Sequence, residues 1–113
     1  MSLKIMINEL PWNVYYVPYD HAKLNDDDNP AMGITYFGEL NTYISNNNIC
    51  DALIERVCRH EATHMTLFSY GFNGDDMDEE DICNFFECHG EEICTVARKM
   101  AVHYEKEKEH LLY

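Results

Sequence analysis

The apolar pattern of this 113-residue chain changes period once, near Asn46-Asn47-Asn48, and that change limits the folds open to it. Before it, Leu3-Lys4-Ile5-Met6-Ile7 and Trp12-Asn13-Val14-Tyr15-Tyr16-Val17 are rich in aromatic and β-branched residues and predict strands. A breaker at Leu10-Pro11 separates them, and Pro18 closes the second. Ile34-Thr35-Tyr36-Phe37 and Asn41-Thr42-Tyr43-Ile44-Ser45 predict a hairpin around Gly38-Glu39. The three asparagines then end the last strand and offer an N-cap to the helical segment beyond them. Strands first and helices after imply an α+β fold: a small antiparallel or mixed sheet packed on two helices, in one domain spanning residues 1–113.

From Ile49 to Tyr70 the spacing is helical. Leu53, Val57, His60, His64 and Leu67 step by three and four residues, which places both histidines inside the protein or at the edge of its interior. Gly71 is the expected stop. After an acidic link from Asn73 to Met77, Asp78 is the expected N-cap of a second helix whose apolar side is Ile82, Phe85, Phe86, Ile93, Val96, Ala97 and Met100. Gly90 interrupts this pattern and predicts a kink or a split into two helices. The charged stretch Glu105 to Glu109 reads as a solvated helical end.

Within the first helix lies Arg59-His60-Glu61-Ala62-Thr63-His64, an H-E-x-x-H pattern. One turn apart on one face, two imidazoles can ligate a single metal ion, and Glu61 beside them can act as base toward water activated by that metal. A catalytic zinc site uses three protein ligands and an open position, so a further ligand has to come from elsewhere. A third histidine in the pattern H-E-x-x-H-x-x-G-x-x-H is excluded, because Leu67 and Tyr70 occupy the required positions. The remaining candidates downstream are Glu79, Glu80, Glu87, Glu91, Glu92 and His89, with His103 and His110 more remote. Glu80 is the choice. Asn84 follows it one turn later, placed to hydrogen-bond a ligating histidine, whereas Glu79 projects about 100° away. Glu79, Glu87 and His89 stay open as alternatives.

The formal net charge of -13 excludes a nucleic-acid backbone as partner, since that contact needs clustered Lys and Arg. A basic protein partner stays open. No apolar run is long enough to span a membrane, and the N-terminus lacks the apolar core of a signal peptide, so a cytoplasmic protein is expected. The five cysteines, odd in number and without a C-x-x-C pair, predict reduced and mostly packed thiols. Asn25-Asp26-Asp27-Asp28-Asn29-Pro30 lacks the glycine and distal glutamate of a calcium loop and reads as a solvated turn.

Strands followed by an H-E-x-x-H helix, then a helix opening with Glu and a polar residue four positions on, resemble the gluzincin zinc peptidases in minimal form. More closely, the chain resembles the small ImmA/IrrE-type metallopeptidases of phages and mobile elements. The resemblance rests on Gly33-Ile34-Thr35 leading into Asn41 to Ser45, on Arg59 to His64, and on Glu79 to Phe86. It implies zinc held by His60, His64 and Glu80, with Glu61 as general base. It also implies that Thr42, Tyr43, Ile44 and Ser45 form the sheet edge along which a peptide substrate lies. Cytosolic cleavage of one dedicated protein, for example a repressor, would follow. Departures are Glu87 where the family carries a small residue, a loose fit at Cys83, Asn84 and Phe86, and the missing family ending of the second helix. His89 or a tyrosine is the candidate oxyanion stabiliser. The rival from another class is a catalytically silent acidic module, such as an antirepressor or inhibitor, on the same fold.

Overall fold

The computed structural model describes residues 2–26, 29–47 and 49–111. The fold is α+β. Strands β1 (Ser2–Ile7), β2 (Leu10–Val17), β5 (Gly33–Tyr36) and β6 (Asn41–Ser45) form a mixed sheet in the order β1-β2-β6-β5, and helices α1 (Asp51–Ser69) and α2 (Glu79–Leu111) follow. Two-residue strands β3 (Asn25–Asp26) and β4 (Asn29–Pro30) pair with each other. Both described ends of the expected polar loop are thus paired as strand, and Asp27 and Asp28 lie outside the described residues.

The break between the first two strands falls at Asn8-Glu9, not at Leu10-Pro11. Both residues have positive φ (47° and 68°), as a two-residue turn of the type favoured in hairpins requires. Pro11 sits inside β2 opposite Met6, ahead of Asn13, where the parallel pairing with β6 begins, so its missing N–H costs little. The Asn8 side-chain amide donates to the Ser69 carbonyl (2.9 Å), tying this turn to the end of α1.

Alternation divides the sheet into two faces. Ile5, Ile7, Trp12, Val14, Tyr16 and Ile44 are buried in one cluster with Ile54, Cys58, Ala62 and Met65 of α1 and with Phe85, Ile93, Val96, Ala97, Met100 and Tyr104 of α2. Polar atoms inside that cluster are paired, as burial demands. The Trp12 indole N–H donates to Ser69 Oγ (2.7 Å), and the Tyr16 hydroxyl donates to the Met100 carbonyl (2.7 Å). On the opposite face Tyr43 stacks on Tyr15 and His21 and meets Tyr36 edge-on.

Helix α1 begins without a side-chain cap: Cys50 holds the cap position, and the Asn47 side chain instead accepts from the Tyr19 backbone. Asn48 lies outside the described residues. At its other end Gly71 adopts φ +79°, with Gly71 N–H to the Phe68 carbonyl and Phe72 N–H to the Leu67 carbonyl, so the last turn closes on a left-handed glycine. Asp78 and Asp81 cap α2 reciprocally through each other's backbone N–H groups.

Helix α2 runs through Gly90 without a break. The Phe86 ring lies over this position, 3.0 Å from where a Cβ would stand, so the glycine accommodates a ring rather than a bend. Among the cysteines only Cys58 is buried, and Cys50, Cys83, Cys88 and Cys94 are exposed, contrary to the packing expected for them. Burial pushes the Cys58 thiol up to about 12, which leaves it protonated and unreactive. Among the described residues no helix is long and apolar enough to cross a membrane.

Candidate metal and peptide site

The buried stripe of α1 is Ile54, Cys58, Ala62, Met65 and Ser69. The stripe that carries the histidines is rotated away from it. Leu53, Val57, His64 and Leu67 are half-buried and His60 is exposed, so the histidines occupy the rim of the interior rather than its inside. A rim position leaves their ring nitrogens accessible while the helix backbone fixes their spacing.

His60 Nε2 and His64 Nε2 stand 3.3 Å apart. Two nitrogens bound to a tetrahedral zinc at about 2.0–2.1 Å are separated by about 3.3 Å, so the pair has the spacing of one tetrahedron edge. The same distance suits a hydrogen bond in which one ring donates its Nε2–H and the other accepts. Both donor atoms of the pair therefore fit a metal. Among the described residues, no group of three or more His, Cys, Asp and Glu side chains converges at metal-binding distance, so no third donor joins them.

Glu61 lines the same cavity as the pair and is 3% exposed. Burial raises its carboxyl above the ordinary value; a hydrogen bond from Thr35 and the neighbouring His64 and His60 act in the opposite direction. The Thr35 hydroxyl donates to Glu61 Oε1 (2.8 Å) and stands 2.9 Å from Thr42 Oγ1. Thr35 has one proton, committed to Glu61, so Thr42 donates to Thr35. This relay locks the rotamer of the carboxylate. Gly33 completes the fit: a Cβ there would come within 3.0 Å of Glu61 Cγ and 3.2 Å of Val57 Cγ1.

The free edge beside the histidines belongs to β5. Strand β6 lies between β2 and β5, with Thr42, Ile44 and Ser45 buried and Tyr43 stacked on the far face, so Thr42 to Ser45 cannot pair with a substrate. The hairpin enters the sheet by its second strand, where Thr42 and Ile44 lie opposite Val14 and Tyr16 of β2 and opposite Thr35 and Gly33 of β5. The Ser45 N–H donates to the Met32 carbonyl, which puts Met32, Ile34 and Tyr36 in the hydrogen-bonded pairs with β6. The backbone groups of Gly33 and Thr35 consequently face outward, along a cavity of about 200 Å³ lined by Gly33, Thr35, Phe37, His60, Glu61 and His64.

Glu80 is exposed in the first turn of α2 and is not brought to the histidines. Asn84 is exposed one turn later and bonds neither of them. His89 lies between Tyr70 (ring centroids 4.0 Å apart) and Phe85 (4.8 Å), in the packing of α2 against the end of α1. Sequence reasoning does not single out Thr35 or Phe37. For Thr35 the available signal is a hydroxyl flanked by apolar residues in an edge strand, two positions after a glycine. No protein-family model matches this chain, and no curated protein or solved structure is found to be similar to it.

Proposed function

We propose that this chain is a small zinc-dependent metallopeptidase acting on a dedicated protein substrate in the cytoplasm. One observation carries the reading: two imidazole nitrogens at tetrahedral spacing share a cavity with a buried, hydroxyl-anchored carboxylate and stand beside a free strand edge. The resemblance of Arg59 to His64 to the ImmA/IrrE-type peptidases supports it. Zinc bound by His60 and His64 would polarise the scissile carbonyl and acidify a water.

The chain's own residues supply the rest. A peptide adds to β5 through the outward backbone groups of Gly33 and Thr35, which hold it with little demand on sequence. Glu61, with its carboxyl raised by burial, takes the proton of the attacking water and returns it to the leaving amine. Thr35 keeps the carboxylate in reach of that water. The test is Glu61→Gln, with metal content and cleavage of a peptide library read on the same preparation. Retained metal with turnover lost is expected, and full proteolysis by this variant would overturn the assignment. The net charge of -13 motivates the alternative of an acidic module occupying a basic partner, which partner binding surviving His60→Ala would favour.

A further inference from the structure

Three phenylalanines stay half-exposed around one cavity next to His64: Phe37 at 41%, Phe68 at 40% and Phe72 at 44%. Its volume is about 720 Å³, and Leu67 and Asp75 complete its wall and rim. Exposed aromatic rings gathered in one concavity mark a binding surface far more often than rings scattered singly. These rings are also held from behind. Phe37 stacks on Phe68 (5.2 Å), Trp12 and Phe68 meet at right angles (6.1 Å), and Phe85 backs Phe72 (5.2 Å). Phe37 touches His64 edge-on at 6.0 Å, so the cavity is continuous with the site.

Resting on the metallopeptidase reading, we infer that this cavity takes a bulky apolar side chain of the substrate, from a residue flanked by a basic one. The rings supply the apolar walls. Asp75 at the rim, in a chain of net charge -13, supplies the complement to the basic neighbour. A chain bound along β5 passes from Gly33 to Phe37 and so arrives at the cavity mouth as it leaves the histidines.

The test is a titration of the full chain with N-acetyl-Lys-Phe-amide, N-acetyl-Lys-Ala-amide and N-acetyl-Glu-Phe-amide, followed by amide NMR shifts, with metal content measured on the same sample. The Lys-Phe probe should shift Leu67, Phe68, Gly71 and Phe72, with Lys-Ala weaker by about tenfold or more, the selectivity of one buried ring. Glu-Phe should bind several-fold more weakly than Lys-Phe, and salt should narrow that gap. Gly74→Phe adds a ring to the cavity lining from a position where a Cβ meets nothing within 4 Å, and should lower the preference for Phe while leaving the fold intact. Equal binding of Lys-Phe and Lys-Ala, shifts located elsewhere, or selectivity untouched by Gly74→Phe would overturn the inference. Selective binding by a chain that takes up no metal would instead sink the enzyme reading and leave a peptide-binding pocket.

Discussion

Replacing Thr35 by valine keeps shape and volume and removes one hydroxyl from the site. Glu61 Oε1 then loses its donor in a place where the residue is 3% exposed, and the fully buried Thr42 hydroxyl loses its acceptor. A hydrogen bond to a charged group contributes about 1.5–3 kcal/mol, and an orphaned buried hydroxyl costs about 1 kcal/mol more, so the expected loss at pH 8 is about 2.5–4 kcal/mol. That is a large fraction of the roughly 5–15 kcal/mol that holds such a domain together. The sign of its pH dependence is set by Glu61. Burial raises its folded-state pKa, so ionising it costs stability as pH rises above the unfolded value of 4.5; the Thr35 bond lowers that pKa and limits the cost. Without the bond the pKa rises further. The gap between wild type and variant should therefore be widest at pH 8 and shrink as pH falls through the raised pKa of Glu61 and the carboxyl protonates. Urea unfolding at about pH 8 and at successive steps down toward the isoelectric point of about 4.6 reads both quantities. In a Glu61→Gln background the same substitution should cost about 1 kcal/mol or less. A variant as stable as wild type at pH 8, or a loss independent of pH and of Glu61, would refute the relay.

Other sites give sharp expectations. Glu61→Gln removes a buried charge and should raise stability at pH 8, by a gain that shrinks as pH falls through the raised pKa of Glu61, as urea unfolding would show; it should also lower peptide cleavage by about 10²-fold or more. Gly33→Ala drives a methyl to 3.0 Å from Glu61 Cγ and should cost about 1–3 kcal/mol, read by the same unfolding assay, with cleavage lowered as the carboxylate is displaced. Gly90→Ala meets only the exposed and movable Phe86 ring, so the gain in helix propensity should win by up to about 1 kcal/mol. Ser69→Ala leaves the Trp12 indole N–H without its acceptor in the core and should cost about 1–3 kcal/mol, accompanied by a change in Trp12 fluorescence.

Local chemistry was the legible part of this sequence. The strand and helix types, the Asp78 cap, the Gly71 stop and the His60-Glu61-His64 spacing all depend on neighbours a few residues away, and each stands in the structure where its chemistry put it. The expectations that failed depended on partners distant in the chain. Thr42 to Ser45 read as an edge because the hairpin was visible, but its strand order is decided by β2, which lies across the sheet from β5. Leu53, Val57 and Leu67 form as good a helical stripe as Ile54, Cys58 and Met65, and the packing of α1 against both the sheet and α2 selects the second for burial. Gly90 has the look of a breaker because its tenant is the ring of Phe86, which no period reveals. The choice of Glu80 rests on its relation to Asn84 within one helix, and that relation carries no information on the distance to His60 and His64.

The chemistry of this site depends on His60 and His64 acting as a metal pair. Zinc content measured by mass spectrometry, on the full chain purified without a metal-affinity column and reconstituted with zinc, tests it most directly. About one zinc per chain is expected in wild type and in Glu61→Gln, and almost none in His60→Ala or His64→Ala. Glu80→Ala should keep its metal, since that carboxylate does not converge with the histidines. Wild type that holds no zinc after reconstitution would rule out His60 and His64 as a metal pair.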